Sequence, residues 1–85
     1  MKKEITNKLV LPKDIMYGLA IVKIVGQSEL YIENHRGIIE YNNDKIVIQT
    51  KSSKIEIIGK NLLIVRFSND DMKINGNILE IKYLV

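Results

Sequence analysis

Residues 75–84 of the chain read Asn-Gly-Asn-Ile-Leu-Glu-Ile-Lys-Tyr-Leu. Leu79, Ile81 and Tyr83 alternate with charged residues, and this period of two predicts a strand with one buried face and one solvated face. The stretch opens with Asn75-Gly76, a dipeptide that is typical of tight hairpin turns because both residues tolerate positive φ. The pattern therefore predicts a hairpin turn followed by a strand.

Short apolar stretches separated by polar turns extend back to residue 19. Eight candidate strands follow: 19–25, 29–33, 37–41, 45–50, 54–58, 62–67, 71–75 and 78–84. The 85 residues include 16 Ile, 6 Val and 2 Thr but one Ala, and branching at Cβ favours strands over helices. The stretch 62–67 is apolar on both faces as far as Arg66, which predicts a strand covered on both sides. The sequence predicts one all-β domain, since a chain of this length has no room for a second core.

A weak internal repeat runs through the predicted strands. The turn positions Gly26, Asn43, Gly59 and Gly76 lie 17, 16 and 17 residues apart, with two strands in each interval. One architecture that fits is a small sandwich or roll of about seven or eight short, mostly antiparallel strands. The alternative is a short β-solenoid with one coil per repeat. Short connections favour the antiparallel form, because parallel partners need long crossovers.

Residues 1–18 differ in character and predict an irregular N-terminal arm before the all-β domain at 19–85. Pro12 excludes a helix that runs through the arm, although a single helical turn at 12–16 is compatible with it. The longest apolar runs are four residues, whereas a signal peptide needs about 7 and a membrane span about 20. We therefore expect a cytoplasmic protein with no membrane span.

A sheet in so small a domain leaves edge strands whose N–H and C=O groups are unpaired. Lysines along the strands protect such edges in part. Self-association or pairing with a strand of another protein would satisfy the remaining groups. We therefore expect a homo-oligomer, a protein partner at an edge, or both.

Few residues could support catalysis. The chain has no Cys and one His, His35, within the block Glu33-Asn34-His35-Arg36-Gly37. A lone His with scattered carboxylates matches neither a nucleophile–base pair nor a closed set of metal ligands. The block is better explained as a tight reversal, with Gly37 at positive φ and His35 exposed at the tip. We expect a protein that is not an enzyme and has no metal or cofactor.

Binding of single-stranded nucleic acid is the alternative function. The net charge is +3, and a small barrel would combine basic residues with exposed aromatic rings. The candidate basic residues are spread singly: Lys23, Arg36, Lys45 and Arg66. Tyr31 is the best candidate for a stacking ring, but Glu29 and Glu33 share its face and would repel phosphate. Nucleic acid is therefore the less favoured partner, and Tyr31 is better explained as a packing aromatic.

Residues 30–41 read Leu-Tyr-Ile-Glu-Asn-His-Arg-Gly-Ile-Ile-Glu-Tyr. This segment resembles the central signature of the YabP/YqfC family of sporulation proteins, and it is closest to the YqfC branch. Four further stretches resemble the family pattern: Leu11-Pro12-Lys13-Asp14, Ile24-Val25-Gly26, Ile74-Asn75-Gly76-Asn77-Ile78 and Leu84-Val85. The resemblance spans about residues 9–85 and depends most on the Ile-Glu-Asn-His-Arg-Gly block.

The resemblance implies a non-catalytic protein of endospore formation that acts as an interaction or scaffolding module in assembly of the spore envelope, the cortex or coat. It implies expression in the mother-cell compartment, and a position peripheral to the forespore membrane. A membrane protein of the sporulation programme is the candidate partner. We expect a protein partner to contact an exposed strand edge and the loop formed by Glu33, Asn34, His35, Arg36 and Gly37.

Overall fold

The structure, a computed structural model, describes residues 18–84. This part of the chain contains six strands and no helix: β1 (Ile21–Val25), β2 (Glu29–Glu33), β3 (Ile38–Tyr41), β4 (Lys45–Gln49), β5 (Lys54–Phe67) and β6 (Asp71–Leu84). They form one open sheet in the order β1-β2-β6-β5-β4-β3. The predicted all-β class is confirmed. The solenoid alternative is wrong, because every pair of neighbouring strands is antiparallel.

Six strands are present instead of seven or eight, because two pairs of predicted strands are continuous. The stretches 54–58 and 62–67 form β5, and 71–75 and 78–84 form β6. The predicted turns between them are kinks, where the β5–β6 register shifts between Ile58 and Gly59 and again between Lys60 and Leu63. Asn75-Gly76 lies within β6. The positive φ of Gly76 (144°) is compatible with a bend in a strand as well as with a turn.

The kinks divide the sheet into two half-sheets of similar construction. The first contains β1, β2, residues 71–75 of β6 and residues 62–67 of β5. The second contains β3, β4, residues 54–58 of β5 and residues 78–84 of β6. Each half-sheet is therefore a set of four strand segments, and β5 and β6 run through both.

The turns of the two outer hairpins bind the kinks. At the β1–β2 turn, the Ser28 carbonyl accepts a hydrogen bond from the Gly76 N–H (3.1 Å), and the Gln27 carbonyl accepts one from the Ile78 N–H (2.8 Å). The β3–β4 turn binds the kink in β5 in the same way, through Asp44 and Asn43. The 17-residue repeat thus marks four corresponding bends, of which two are hairpin turns and two are strand kinks.

One face of the sheet encloses a single core. Its buried members come from β2, β4, β5 and β6: Leu30, Ile32, Ile46, Ile48, Ile55, Ile57, Leu62, Met72, Ile74 and Ile78. β2 and β4 are separated by two strands in the sheet, yet their side chains belong to the same cluster. The sheet is therefore folded over at the kinks, so that both half-sheets cover the core as expected for a roll or sandwich.

The predicted domain boundary cannot be compared with this fold in full, because all of the predicted arm except Gly18 lies outside the described residues. The predicted helical turn at 12–16 lies there too. Within the described part, the strands begin at Ile21, close to the predicted start of the domain.

We predict that Gly59→Ala lowers the free energy of unfolding by about 1–3 kcal/mol, because a Cβ at this kink would collide with the backbone carbonyl of Asn77. Gly26→Asn is the matched control. Gly26 has φ +57° and no atom within 4 Å of an added Cβ, and Asn tolerates this conformation, so its effect stays within about 0.5 kcal/mol. Urea unfolding measures both. Wild-type stability of Gly59→Ala would contradict the proposed close approach.

Candidate functional site

The block 33–37 connects the two half-sheets, because β2 belongs to the first and β3 to the second. It is a crossover, and the predicted tight reversal is wrong. Backbone bonds hold it on both sides: the Asp70 carbonyl accepts from the N–H of Asn34 (2.6 Å) and His35 (3.2 Å), and the Gln49 carbonyl accepts from the Arg36 N–H (2.7 Å). The crossover is therefore fixed to the β5–β6 turn and to the end of β4.

Two residues of the crossover have positive φ, Asn34 at 67° and Gly37 at 121°. The prediction for Gly37 is confirmed. Asn is among the few side chains that adopt this conformation readily, and the Asn34 side-chain amide also donates to the Leu19 carbonyl at 2.9 Å. Asn34 thus links the crossover to the chain just before β1.

His35 is buried, with 4% of its surface exposed, so its predicted exposure is wrong. Its Nδ1 accepts a hydrogen bond from the Gly37 N–H (3.1 Å), and its Nε2 lies 3.0 Å from the Ser68 carbonyl oxygen. A carbonyl only accepts, so these two partners assign the proton to Nε2. The ring centroid also lies 4.9 Å from that of Phe67. His35 therefore connects the crossover to the β5–β6 turn.

The charged side chains of the crossover face solvent. Glu33 and Arg36 are exposed. A Cβ added to Gly18 would lie 3.5 Å from Lys51 Nζ and 3.7 Å from Arg36 Nη2, so these two cations flank the same point of the backbone. We call Glu33, Arg36 and Lys51 the crossover surface. Of the five predicted contact residues, Glu33 and Arg36 present charge to solvent, whereas Asn34, His35 and Gly37 shape the backbone. Partner binding by these residues stays a prediction.

Exposed apolar side chains lie on the edge segments of the sheet. Those in the strands are Ile21, Ile24, Val25, Ile38, Ile39, Tyr41, Leu63, Val65, Phe67, Leu79 and Tyr83. All belong to β1, β3, the second half of β5 or the second half of β6, the segments with a strand neighbour on one side. The expectation that 62–67 is covered on both sides is wrong, because Leu63 and Val65 are 56% and 44% exposed.

The residues proposed for nucleic-acid binding are partly used within the domain. The Tyr31 ring is flanked by the Nζ atoms of Lys23 (5.5 Å) and Lys73 (5.2 Å), and its hydroxyl donates to Glu29 Oε1 at 3.3 Å. Tyr31 is therefore a packing residue with two cation–π contacts, and it is not an open stacking ring. Lys45 lies 3.6 Å from Glu40 and 3.8 Å from Glu56, so its charge is balanced.

Between residues 18 and 84, no three His, Asp or Glu side chains are grouped so that they could hold a metal ion. The same range contains no helix that is long and apolar enough to cross a bilayer.

We predict that His35→Ala lowers the free energy of unfolding by about 2 kcal/mol, because two hydrogen bonds are lost and the Gly37 N–H loses its acceptor. Arg36→Ala is the neighbouring control, and as an exposed residue it should change stability by less than about 0.5 kcal/mol. Urea unfolding compares the two variants. Equal stability would show that the crossover does not depend on the imidazole.

Comparison with known proteins identifies the family to which the chain belongs. A family model described as the YabP family matches residues 19–85. The uncharacterized protein YqfC of Bacillus subtilis (strain 168) is 31% identical over 84 residues, which are 99% of this chain and 90% of that protein. No solved structure gives a significant match. The resemblance indicated by residues 30–41 is confirmed, and the chain belongs to the YabP family and is a sporulation-related protein.

Proposed function

We propose that this protein is a non-catalytic interaction module of spore-envelope assembly, and that it binds a protein partner through the β1 edge and the adjoining crossover surface. The observation that carries the proposal is the exposure of β1, in which four of five residues face solvent. β1 has β2 as its strand neighbour, and no second neighbour within residues 18–84. Such an edge can accept an added strand through its free backbone groups.

The β1 edge and the crossover surface form a continuous patch. Ile21 of β1 stands opposite Glu33 in the β1–β2 register, and the Leu19 carbonyl binds the Asn34 side chain. A partner strand on β1 would therefore end beside Glu33 and Arg36. Charged residues at that end of the partner could pair with them and set its register.

The residues of β1 indicate which kind of partner strand would pair with it. Ile21, Lys23 and Val25 share one face, and Val22 and Ile24 share the other. A complementary strand would carry apolar residues on both faces and an acidic residue opposite Lys23. A segment of this kind, next to the membrane in a sporulation membrane protein, is the partner that we propose. With such a partner, the module would act in the mother-cell cytoplasm, at the forespore membrane.

A non-catalytic role is supported by the state of the single histidine. His35 is buried, and both its ring nitrogens are engaged by the backbone. A general base needs a nitrogen within reach of a substrate proton. The arrangement of His35 instead suits a residue that holds the crossover in shape.

We predict that a gene with the double substitution Ile21→Lys and Arg36→Glu fails to replace the wild-type gene in sporulation. A charge on the edge strand opposes strand addition, and reversal of Arg36 repels an acidic partner residue. In the native host, deletion of the gene should reduce the number of heat-resistant spores, and the wild-type gene should restore it. The measurement is the spore count after heat treatment, together with capture of the partner by the tagged protein.

The control for this experiment is Lys60→Glu, an exposed charge reversal at the kink of β5. It should restore spore numbers as the wild type does. Full restoration by the double variant would exclude the β1 edge and Arg36 as the partner site. Normal spores after deletion of the gene would remove the proposed role in spore assembly.

A further inference from the structure

We infer that two copies of this protein pair edge to edge through residues 79–83 of β6, antiparallel and centred on Ile81. This inference deepens the interaction role proposed above. It rests on that role in one respect, the assumption that this protein works by assembling with other chains. The partner strand proposed for β1 uses a different edge. We assign a second copy to the β6 edge for three reasons: the charges of the edge are complementary to each other, they favour one register, and the other edges are less suited to self-pairing.

A row of alternating charges crosses the second half-sheet and stops at the β6 edge. Lys45 Nζ lies 3.6 Å from Glu40 and 3.8 Å from Glu56, and Lys82 Nζ lies 3.3 Å from the other carboxylate oxygen of Glu56. The row reads minus, plus, minus, plus, and its last member, Lys82, is on the edge strand. The next position, beyond the edge, would suit a negative side chain.

Glu80 is the negative side chain that a second copy would supply. Glu80 is exposed and lies on the same face of β6 as Lys82, two residues away. Among residues 18–84 it has no ion-pair partner. When two antiparallel copies meet with Ile81 opposite Ile81, Glu80 of each copy faces Lys82 of the other. The pairing therefore forms two opposite-charge cross-strand pairs and extends the charged row in both directions.

The charges select this register over its neighbours. Pairing about a two-fold axis perpendicular to the sheet places one residue opposite its own copy. A centre at Glu80 or at Lys82 would oppose two like charges, which is destabilising. A centre at Ile81 also aligns Leu79 with Tyr83, and these side chains are 55% and 66% exposed in the single chain. The same register thus satisfies the charges and covers exposed apolar surface.

The backbone beside this segment is open. The Ile78 N–H is bonded to the Gln27 carbonyl, but beyond Ile78 the described residues place no backbone partner on the outer side of β6. On that side lies an open cleft of about 250 Å³, lined by residues 78–81 and by Ile24 and Gln27. Residues 80–84 pair with β5 in regular register, so the backbone from Glu80 onward alternates regularly along the edge.

The other edges are less suited to self-pairing. In the second half of β5, the Leu62 N–H is bonded to the Asn43 carbonyl and the Ile64 N–H to the Tyr41 hydroxyl (2.9 Å). β3 has four residues and a register shift, and short or bulged edges resist pairing. A β1 pair centred on its middle residue would oppose two copies of Lys23. The end of β6 is the edge whose sequence is complementary to itself.

Sedimentation equilibrium of the purified full chain tests the inference. The wild type should form dimers, and Glu80→Lys and Lys82→Glu should each raise the dimer dissociation constant about tenfold or more, because each places like charges opposite one another. An equimolar mixture of the two variants should restore dimers, since each altered side chain then faces an opposite charge. Asp44→Lys, an exposed charge reversal of the same size in the β3–β4 turn, should dimerise as the wild type does.

Circular dichroism checks that each variant is folded. If Lys82→Glu fails to fold because Glu56 loses its partner, the comparison of Glu80→Lys with Asp44→Lys tests the inference. A monomeric wild type at concentrations up to about 1 mM overturns the inference. A dimer that resists both reversals also overturns it. Either result would leave the proposed binding of a partner at β1 untouched, and that role is tested separately by spore counts.

Discussion

The close contact between the backbones of β5 and β6 at their kinks is the constraint on which the fold depends. Gly59 lies against the Asn77 carbonyl, and a Cβ at Gly76 would lie 2.7 Å from the Asn61 carbonyl oxygen. Because neither residue has a side chain, two strands of 14 residues bend together without separating. The bend turns one open sheet into two half-sheets that share a core, and this core contains ten buried apolar side chains from residues 18–84.

The same bend creates the surfaces on which function is proposed. A flat six-stranded sheet has two edges, but the folded sheet exposes four edge segments, since β2 and β4 each cover half of a central strand. These segments carry exposed apolar side chains beside incompletely paired backbone. Two of them are protected, β3 by its short, bulged form and the second half of β5 by the Tyr41 hydroxyl. Within residues 18–84, β1 and the end of β6 have no such protection, and these are the two edges on which binding is proposed.

The crossover gives a structural reason for the histidine in the most specific sequence block of the chain. The chain must pass from one half-sheet to the other between β2 and β3, over the β5–β6 turn. His35 fills that passage by accepting from Gly37 and donating to Ser68, and it packs against Phe67. Glu33 and Arg36 are then displayed beside β1. One short block thus combines a buried histidine that fixes the crossover with two charged side chains exposed to solvent.

Local patterns in the sequence were sufficient for the all-β class, the segments that form strands and the four repeat positions, because β-branched content, alternation of period two and turn residues act within a few positions of the chain. They predicted eight strands where the fold has six. They were not sufficient to distinguish a turn from a kink at Asn75-Gly76, since positive φ serves both. Nor could they show whether residues 62–67 are a covered strand or an exposed edge, or whether His35 lies exposed at the tip of a turn or buried in the crossover. Those outcomes depend on Leu63, Phe67 and Ser68 meeting, or failing to meet, residues more than 20 positions away. Burial and pairing at that separation are set by how the sheet folds over, which the tertiary structure alone decides.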